Sequence, residues 1–360
     1  MSNFLNTKYK SITPYDTSSE IESFDGYIRL NTNESPFPPS PHAVEYAAKA
    51  ASGLNYYCDP ECRLLSEKLA SMLNVKPSQI VFGNGSDEIL NFLFMAFCQN
   101  GAVFPDVTYS FYKILAEFHG VNYTTIPVDN FYVLPADYVD LKGKTVFIAN
   151  PNAPTGMYLI PAGIETMIVQ NLSSLVVVDE AYIDFASFVR GSATALKLIN
   201  RYKNVVIVRT FSKSRSLAGA RLGYCVTNEE LAQEIRRIKN TITPYNINAM
   251  TQAAALGSLE DDDYYRANIK LIISTRQLVT AALKQLDFDV IESSTNFVFV
   301  RHKRLSGQQI FEALKERKIM VRHFASLSAY NRITIGTPEQ MQILLSALSE
   351  LSNLSELSEA

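Results

Sequence analysis

The chain of 360 residues contains no tryptophan, only four cysteines and only four histidines. The cysteines, at positions 58, 62, 98 and 225, are too few and too scattered for a disulfide framework and are typical of free thiols in a reducing compartment. Neither Cys58 nor Cys62 has a histidine or a second cysteine pair nearby. The histidines form no close cluster, so the sequence predicts no metal site.

The sequence also has little that would direct it to a nucleic acid or a membrane. It carries 33 Lys and Arg against 36 Asp and Glu, with no basic block to neutralise phosphates. No apolar run approaches the roughly 18 residues of a membrane-spanning helix, and the first residues do not have the pattern of a signal peptide. We therefore expect a cytoplasmic protein that binds neither nucleic acid nor membrane. The hydrophobic content of 47% predicts a folded chain.

From residue 43 to about residue 225, short apolar strands alternate with helical segments. Near-continuous Val and Ile runs are typical of strands that are buried on both faces, as in a parallel sheet between helices. We predict an α/β fold whose large domain has a mainly parallel seven-stranded sheet flanked by helices. The predicted strands are residues 79–83, 102–104, 121–126, 145–149, 175–178, 205–208 and 222–226.

After about residue 229 the pattern changes to long helices and two further strands, at 296–301 and 332–335. The early strand candidate, 28–32, has no neighbouring partner, so we expect it to join this later part. The prediction is a smaller α+β domain built from both chain ends. Residues 1–42 form an N-terminal arm and part of the small domain, 43–250 the large cofactor-binding domain, and 251–360 the C-terminal small domain.

Two residues that follow predicted strands carry possible chemistry. In open α/β sheets, ligands bind beyond the carboxyl ends of the strands. Asp179 ends a run of three valines, where its carboxylate could pair with a cationic ring nitrogen; an ordinary helix cap is the alternative. Lys213 lies between two serines shortly after another strand. An enclosed lysine becomes a good Schiff-base nucleophile, and a solvated surface lysine is the alternative.

Two turns add an anion site and a rigid loop. Residues 83–88, Gly-Asn-Gly-Ser-Asp-Glu, join a strand to a helix whose first N–H groups can hold an anion; a plain N-cap by Ser86 is the alternative. They lack both nucleotide-binding glycine motifs. Residues 150–156, Asn-Pro-Asn-Ala-Pro-Thr-Gly, form a turn that could aim an amide at a ligand, with a plain turn as the alternative. A lysine for an imine, an aspartate for a ring nitrogen and a helix-start phosphate site together fit pyridoxal 5'-phosphate.

The chain resembles the fold-type I pyridoxal-phosphate aminotransferases over nearly its whole length. Two segments, Pro-Tyr-Asn-Ile-Asn at 244–248 and Val-Arg-His-Phe at 321–324, are similar to the histidinol-phosphate group of that family. The resemblance also rests on residues 30–34, 59–63, 83–88, 179–182, 210–221 and 332–337. It implies transfer of an amino group between L-histidinol phosphate and 2-oxoglutarate in histidine biosynthesis, giving imidazole acetol phosphate and L-glutamate. It also implies a homodimer whose active site is shared across the interface.

The resemblance further implies residue roles. Lys213 would carry the cofactor as a Schiff base and move the proton, while Asp179 would pair with the pyridine nitrogen. Tyr182 would bond the ring oxygen and Tyr109 would stack on the ring. The cofactor phosphate would be held by Gly85, Ser86, Asp87, Thr210, Ser212 and Arg221, with Tyr57 of the partner subunit. The substrate would be held by Tyr15, Asn33, Arg322 and Arg332.

One position departs from the family pattern. Ala153 stands where the family has an asparagine before Pro-Thr-Gly. Either Asn152 turns toward the ring oxygen, or Tyr182 holds that oxygen alone. The alternative functions are a threonine-phosphate decarboxylase-like activity or an aromatic amino acid aminotransferase. A nucleotide-binding dehydrogenase or a non-catalytic ligand-binding module is supported only by residues 83–88.

Overall fold

The computed structural model describes residues 4–10, 12–14, 17, 26–133 and 135–357, with the backbone alone for 353–357. The described residues form two sheets and the helices around them. The strands are β1 (Ile28–Leu30), β2 (Ile80–Gly83), β3 (Ala102–Pro105), β4 (Tyr123–Ile126), β5 (Thr145–Ala149), β6 (Val176–Asp179), β7 (Val205–Thr210), β8 (Gly223–Thr227), β9 (Phe288–Ile291), β10 (Phe297–His302), β11 (Ile319–His323) and β12 (Asn331–Thr334).

Eleven α-helices lie among the described residues. They are α1 (Pro41–Ala51), α2 (Arg63–Leu73), α3 (Ser86–Phe97), α4 (Phe111–His119), α5 (Pro161–Gln170), α6 (Ile183–Arg190), α7 (Glu229–Ile242), α8 (Ala249–Glu260), α9 (Asp262–Gln285), α10 (Gly307–Glu316) and α11 (Pro338–Leu357). None of those built from the described residues combines the length and the apolar character that crossing a bilayer needs.

The larger sheet has the strand order β2-β8-β7-β6-β5-β3-β4. Pairing is parallel from β7 through β4, whereas β8 is antiparallel to both of its neighbours. Every residue of β5 and β6 is buried, because helices pack on both faces of the sheet. Burial on both faces favours apolar residues at successive positions, which accounts for the Val and Ile runs. The predicted seven-stranded, mainly parallel sheet is confirmed.

The smaller sheet has the order β1-β11-β12-β10-β9. Strand β1 pairs in parallel with β11, so a segment from the beginning of the chain completes a sheet that is otherwise C-terminal. The leucines Leu344 and Leu348 of α11 are buried against this sheet in the same core cluster as Leu30. The smaller unit is therefore α+β and draws on both ends of the chain, as predicted. The boundaries after residues 42 and 250 stay a prediction.

Two strands of the smaller sheet, β9 and β11, were not predicted from the sequence. Strand β9 has only one fully buried residue, Phe288, and therefore shows no apolar alternation. Strand β11 offers three buried residues between a helix and a polar loop. Its extended form is stabilised by hydrogen bonds to β1 and β12, which are distant in sequence.

Candidate active site

One edge of the larger sheet collects the chemistry predicted from the sequence. Strands β5, β6 and β7 are parallel neighbours, and Ala149, Asp179 and Val208 lie in register across them. At the other side of β7, both Thr210 and Gly83 pair with Gly223 of β8. The loops that leave β2, β5, β6 and β7 therefore meet at the same edge.

A cavity of about 330 Å³ opens at this edge. Loop residues from the larger sheet form one wall, and residues 31–34 and Arg332 from the smaller sheet form another. The predicted site residues that line it are Asn33, Ser86, Asp87, Tyr109, Asp179, Tyr182, Thr210, Ser212, Lys213, Arg221 and Arg332.

Lys213 lies on the loop after β7, with its amine inside this cavity. Its Nζ donates a hydrogen bond to the Thr32 carbonyl oxygen at 3.2 Å and lies 5.9 Å from the ring centre of Tyr182. The next residue, Ser214, donates to the Asp184 carboxylate, and Ser216 donates to Ser35. These bonds fix the loop directly after the lysine. The amine lines the cavity, without a carboxylate partner among the described residues.

Asp179 ends β6 and is buried beneath the cavity. Its Oδ2 accepts a hydrogen bond from the Tyr112 hydroxyl at 3.0 Å, and its Oδ1 accepts one from the Ala181 amide at 3.2 Å. Burial raises the pKa of the Asp179 carboxyl to about 7, although both hydrogen bonds act to lower it. A cationic partner in the cavity would restore the charged form.

Tyr112 was missed by the sequence reasoning. It lies in the first turn of α4, three residues after Tyr109, and the two rings meet edge to face with their centres 5.7 Å apart. A tyrosine on the buried face of an apolar helix needs a hydrogen-bond partner for its hydroxyl, and this was the available signal.

Glycines let the start of α3 approach β8 closely. Gly85 has φ +85°, and a Cβ built on it would lie 2.4 Å from the Arg221 Nη2. A Cβ on Gly223 would lie 2.2 Å from the Ser86 amide nitrogen. The first amides of α3 are thereby held beside the Arg221 guanidinium, which is the arrangement that binds an anion.

Hydroxyl and charged groups complete this anion-binding corner. The Thr210 hydroxyl donates to the Ser212 Oγ at 2.8 Å. Asp87 uses both carboxylate oxygens, accepting from the Tyr109 hydroxyl at 2.9 Å and from Arg221 at 3.2 Å. Burial and the adjacent Asp87 charge raise the pKa of Tyr109 well above its usual value, so its ring stays neutral.

The smaller sheet contributes Asn33 and Arg332. The Asn33 Nδ2 donates to the Tyr182 hydroxyl at 2.9 Å. The Arg332 Nη2 donates to the Asn31 carbonyl oxygen at 2.7 Å, and the guanidinium lies over the rings of Phe297 and Phe324 at 5.4 and 5.6 Å. These contacts hold the guanidinium at the cavity wall.

Asn152, one of the two candidates for the ring oxygen, does not line the cavity. Its Oδ1 accepts from the Thr108 hydroxyl at 2.9 Å, and its Nδ2 donates to the Val107 carbonyl and the Thr155 hydroxyl, both at 3.0 Å. The amide therefore ties the loop to the segment before α4. Ala153, not Asn152, lines the cavity.

Four other predicted residues lie off the cavity wall or outside the described residues. Gly85 directly precedes α3 and does not line the cavity. Arg322 pairs with Arg332 between β11 and β12 and does not line the cavity either. Tyr57 is 84% exposed and stacks on Tyr245 with ring centres 4.6 Å apart. Tyr15 lies outside the described residues.

Comparison with known proteins places this geometry in a family. The family model described as "Aminotransferase class I and II" matches residues 25–348. The chain is 41% identical to the histidinol-phosphate aminotransferase of Brachyspira hyodysenteriae over 97% of this chain and 98% of that one. It is also 41% identical to the protein of the same name from Marinomonas sp., over 98% of this chain and all of that one.

A solved structure agrees with the sequence matches. The histidinol-phosphate aminotransferase from Sinorhizobium meliloti, crystallised in complex with pyridoxal-5'-phosphate, superposes with a TM-score of 0.86. It is 26% identical, and the match covers 98% of both chains. Because the family model spans most of the chain and these relatives match it almost end to end, the chain belongs to the aminotransferase class I and II family.

Proposed function

We propose that the chain is a pyridoxal-phosphate-dependent transaminase of histidine biosynthesis. It moves the amino group between L-histidinol phosphate and 2-oxoglutarate, with imidazole acetol phosphate and L-glutamate as products. The observation that carries the proposal is the single cavity that brings Lys213 and Asp179 together beside the start of α3. The names of the relatives that match over nearly the whole chain support the choice of substrate.

The residues of the cavity fit the cofactor. Asp179 is a buried carboxylate whose raised pKa reflects lost hydration, and a protonated ring nitrogen is the partner that would offset this loss. Gly85 and Gly223 have no side chains and therefore let the first amides of α3 lie beside the Arg221 guanidinium, where a phosphate could bind. Ser86, Thr210, Ser212 and Arg221 would hold that phosphate.

Tyr182 and Tyr109 would hold the ring itself. Tyr182 lines the cavity next to Ala153, which has no polar side chain, and Asn152 is engaged elsewhere. This supports Tyr182 as the residue that bonds the ring oxygen without help from the loop at 152–153. Tyr109 is fixed by its hydroxyl bond to Asp87, which leaves its ring face available for stacking.

When bound, the cofactor supplies a cationic ring that takes up the electron pair left on the substrate carbon after its proton is removed. Lys213 Nζ would take that proton and later return one, because a positioned amine acts as both general base and general acid. The loop bonds at Ser214 and Ser216 would hold the amine in place for both transfers.

Arg332 would hold the anionic end of each substrate. A guanidinium binds the oxygens of a carboxylate or of a phosphate through paired donors. The same residue therefore suits glutamate in one half-reaction and histidinol phosphate in the other. Arg322, directly opposite Arg332 on β11, would add positive charge on the same side of the sheet.

We also propose that two copies of the chain form a homodimer in the cytoplasm through an aromatic patch. This patch is centred on Tyr57 and Tyr245, whose exposed rings stack with their centres 4.6 Å apart, and it includes the exposed residues Leu54, Tyr56 and Ile242, which lie within three positions of them in the sequence. It adjoins the anion-binding corner at the start of α3, which is the proposed phosphate corner. Asn84, next to Gly85, donates a hydrogen bond to the carbonyl oxygen of Asn246, next to Tyr245, at 3.2 Å. A partner docked on this patch would place its own Tyr57 near the phosphate corner. The four free cysteines support a reducing compartment.

The discriminating experiment is a comparison of substrates. The purified protein loaded with pyridoxal phosphate is expected to prefer L-histidinol phosphate over phenylalanine and tyrosine as amino donor to 2-oxoglutarate. Preference for an aromatic amino acid would contradict the substrate assignment. Release of carbon dioxide from O-phosphothreonine without any keto acid would instead support the decarboxylase-like alternative.

Replacement of the lysine tests the mechanism. Lys213→Ala is expected to lower transamination by at least roughly 100-fold, because it removes the proton carrier. Borohydride reduction of the wild-type protein should fix the cofactor on Lys213, as read by peptide mass spectrometry. Lys270→Ala, which changes an exposed lysine on α9, is the matched control and should keep full activity. Retained turnover in Lys213→Ala would refute the assignment.

A further inference from the structure

The hydroxyl of Tyr182 has a defined hydrogen-bonding partner on the protein side. Tyr182 lines the cavity but is only 8% exposed, and its ring packs edge-on against Phe297 at 5.2 Å. Its oxygen lies 2.9 Å from the Asn33 Nδ2. Asn33 is itself buried and belongs to the segment that follows β1. The bond therefore joins residues supplied by the two different sheets.

Thr334 decides which end of the Asn33 amide faces Tyr182. The Asn33 backbone N–H donates to the Thr334 Oγ1 at 3.0 Å, so that oxygen acts as an acceptor there. The Thr334 hydroxyl hydrogen is then directed to the Asn33 Oδ1 at 3.1 Å. Because an amide carries its oxygen and its NH₂ on opposite sides, the NH₂ must face Tyr182.

The backbone of Asn33 is fixed as firmly as its side chain. Its φ of +55° lies in the left-handed region, which asparagine tolerates better than most residues. Its carbonyl oxygen accepts from the Asn296 Nδ2 at 3.0 Å. The backbone of Asn33 is therefore held by Thr334 of β12 and by Asn296, which directly precedes β10.

The direction of the hydrogen bonds from Thr334 to Asn33 and from Asn33 to Tyr182 determines where the Tyr182 hydrogen can point. Since Asn33 donates, the Tyr182 oxygen is the acceptor in that bond and its own hydrogen points elsewhere. Within the part of the chain that the structure describes, the Tyr182 hydroxyl donates to no protein acceptor. The remaining direction is the cavity that the residue lines.

We propose that Asn33 is a positioning residue that holds the Tyr182 hydroxyl as a hydrogen-bond donor toward the ring oxygen of the cofactor. This inference rests on the proposed function, because it requires pyridoxal phosphate in the cavity. It assigns Asn33 to the cofactor side of the site, in place of the substrate contact predicted from the sequence. It also makes the donor depend on Thr334, and thus on the smaller sheet.

The test uses the visible absorption of the resting, cofactor-loaded enzyme instead of its turnover. A donor to the ring oxygen stabilises the anionic form of that oxygen and so lowers the pH at which the absorption changes. Asn33→Ala is expected to raise this midpoint by roughly one pH unit, a tenfold change in proton affinity. Asn33→Asp should raise it further, because a carboxylate would accept the Tyr182 hydrogen and turn it away from the cavity.

Two comparisons separate positioning from a merely structural role. In a Tyr182→Phe background, Asn33→Ala should produce no additional shift, because the hydroxyl through which it acts is gone. Thr334→Val should raise the midpoint, whereas Thr334→Ser, which keeps the hydroxyl, should restore the wild-type value. Thermal unfolding of each cofactor-free variant identifies any that fail to fold, and the Thr334 pair still decides the question.

The proposal would be overturned if Asn33→Ala shifted the midpoint equally in the wild-type and the Tyr182→Phe backgrounds. It would also be overturned if neither of the single variants Asn33→Ala and Thr334→Val shifted the midpoint. Failure of the proposed function has a different signature. In that case the wild-type protein would show no visible absorption band after incubation with pyridoxal phosphate.

Discussion

Two adjacent carboxylates at the end of β6 show how single residues acquire different roles. The Glu180 carboxylate has a charged partner and two further hydrogen-bond donors. Arg209 donates to it at 2.8 Å, and the Thr194 hydroxyl and the Ala195 amide donate to it as well. Among the described residues, the donors to Asp179 are the neutral Tyr112 hydroxyl and Ala181 amide. Glu180 therefore anchors the loop around Thr194, while Asp179 keeps its capacity to bind a cation.

The raised pKa of Asp179 predicts a pH-dependent stability. Between about pH 4 and 7 the folded cofactor-free protein holds a proton on Asp179 that the unfolded chain has lost, so stability falls as pH rises through this range. A rise from 3.8 to about 7 corresponds to about 4 kcal/mol at most. Asp179→Asn should flatten this part of the pH dependence, as measured by urea unfolding.

The comparison is wild type against Asp179→Asn at each pH, so other titrating groups cancel. Bound cofactor should also flatten the wild-type curve, because a cationic partner keeps the carboxylate charged. An identical pH dependence in both cofactor-free proteins would contradict this account of Asp179.

At this scale the sequence predicts residue types better than side-chain directions. Asp179 and Lys213 were recognisable because each follows an apolar strand by a short, fixed distance. The direction of Asn152 depends on Thr108 and Thr155, and that of Asn33 depends on Thr334. Thr108 reaches Asn152 only when the larger sheet has formed, and Thr334 reaches Asn33 only when the smaller sheet has formed, so no local pattern reveals these contacts.

Among the secondary-structure elements, the contact of α3 with β8 shapes the phosphate corner. Gly223 lies in β8 and presents only backbone to the start of α3. Any side chain there would push the helix away from the strand. The position of the first α3 amides is therefore set by the residue type on a neighbouring strand as well as by the turn at residues 83–85.

Gly223→Ala is expected to weaken both stability and cofactor binding. Its Cβ would lie 2.2 Å from the Ser86 amide nitrogen, so α3 must shift, with a loss of about 1–3 kcal/mol of unfolding free energy. Urea unfolding and a cofactor titration measure the two effects. Gly53→Ala is the control, because its Cβ would meet the Ala50 carbonyl at an ordinary 3.6 Å. Unchanged cofactor affinity in Gly223→Ala would contradict the role given to this contact.

Elements with their own periodicity were predictable, and those defined by pairing were not. Leucines recur at a helical spacing from residue 64 to residue 73, and helix α2 forms there because Leu65 and Leu69 bury one face. Strand β11 had no such signal, since its partners β1 and β12 come from distant parts of the sequence. Local physics sets the first kind of element and tertiary contact sets the second.

Over the whole molecule, the aromatic patch is the surface that composition could not reveal. The net charge and hydrophobic fraction are averages over all residues, and neither indicates that the exposed rings of Tyr57 and Tyr245 stack on each other. Tyrosines on an exposed contiguous surface are typical of interface hot spots, because each buries a large area with few rotatable bonds.

The proposed dimer predicts that a charge on this patch separates the subunits. Tyr57→Asp is expected to raise the dimer dissociation constant by at least about tenfold, since a carboxylate would lose its hydration there. Sedimentation velocity over a range of concentrations measures it. Leu278→Asp, at a 73% exposed apolar position on α9, should leave the association state unchanged. A wild-type protein that is monomeric at micromolar concentration would exclude the dimer.

The parallel pairing of β1 with β11 has a consequence for the order in which the protein is made. All seven strands of the larger sheet lie between residues 80 and 227, so that sheet can form while the ribosome is still synthesising the rest of the chain. Strand β1 is translated before any of them, yet Ile28 pairs with Ile319. The first strand must therefore wait, unpaired, until nearly the whole chain has emerged. The wall of the cavity that contains Asn33 and Arg332 therefore forms last, and we expect the nascent chain to complete the proposed phosphate site before the proposed substrate site.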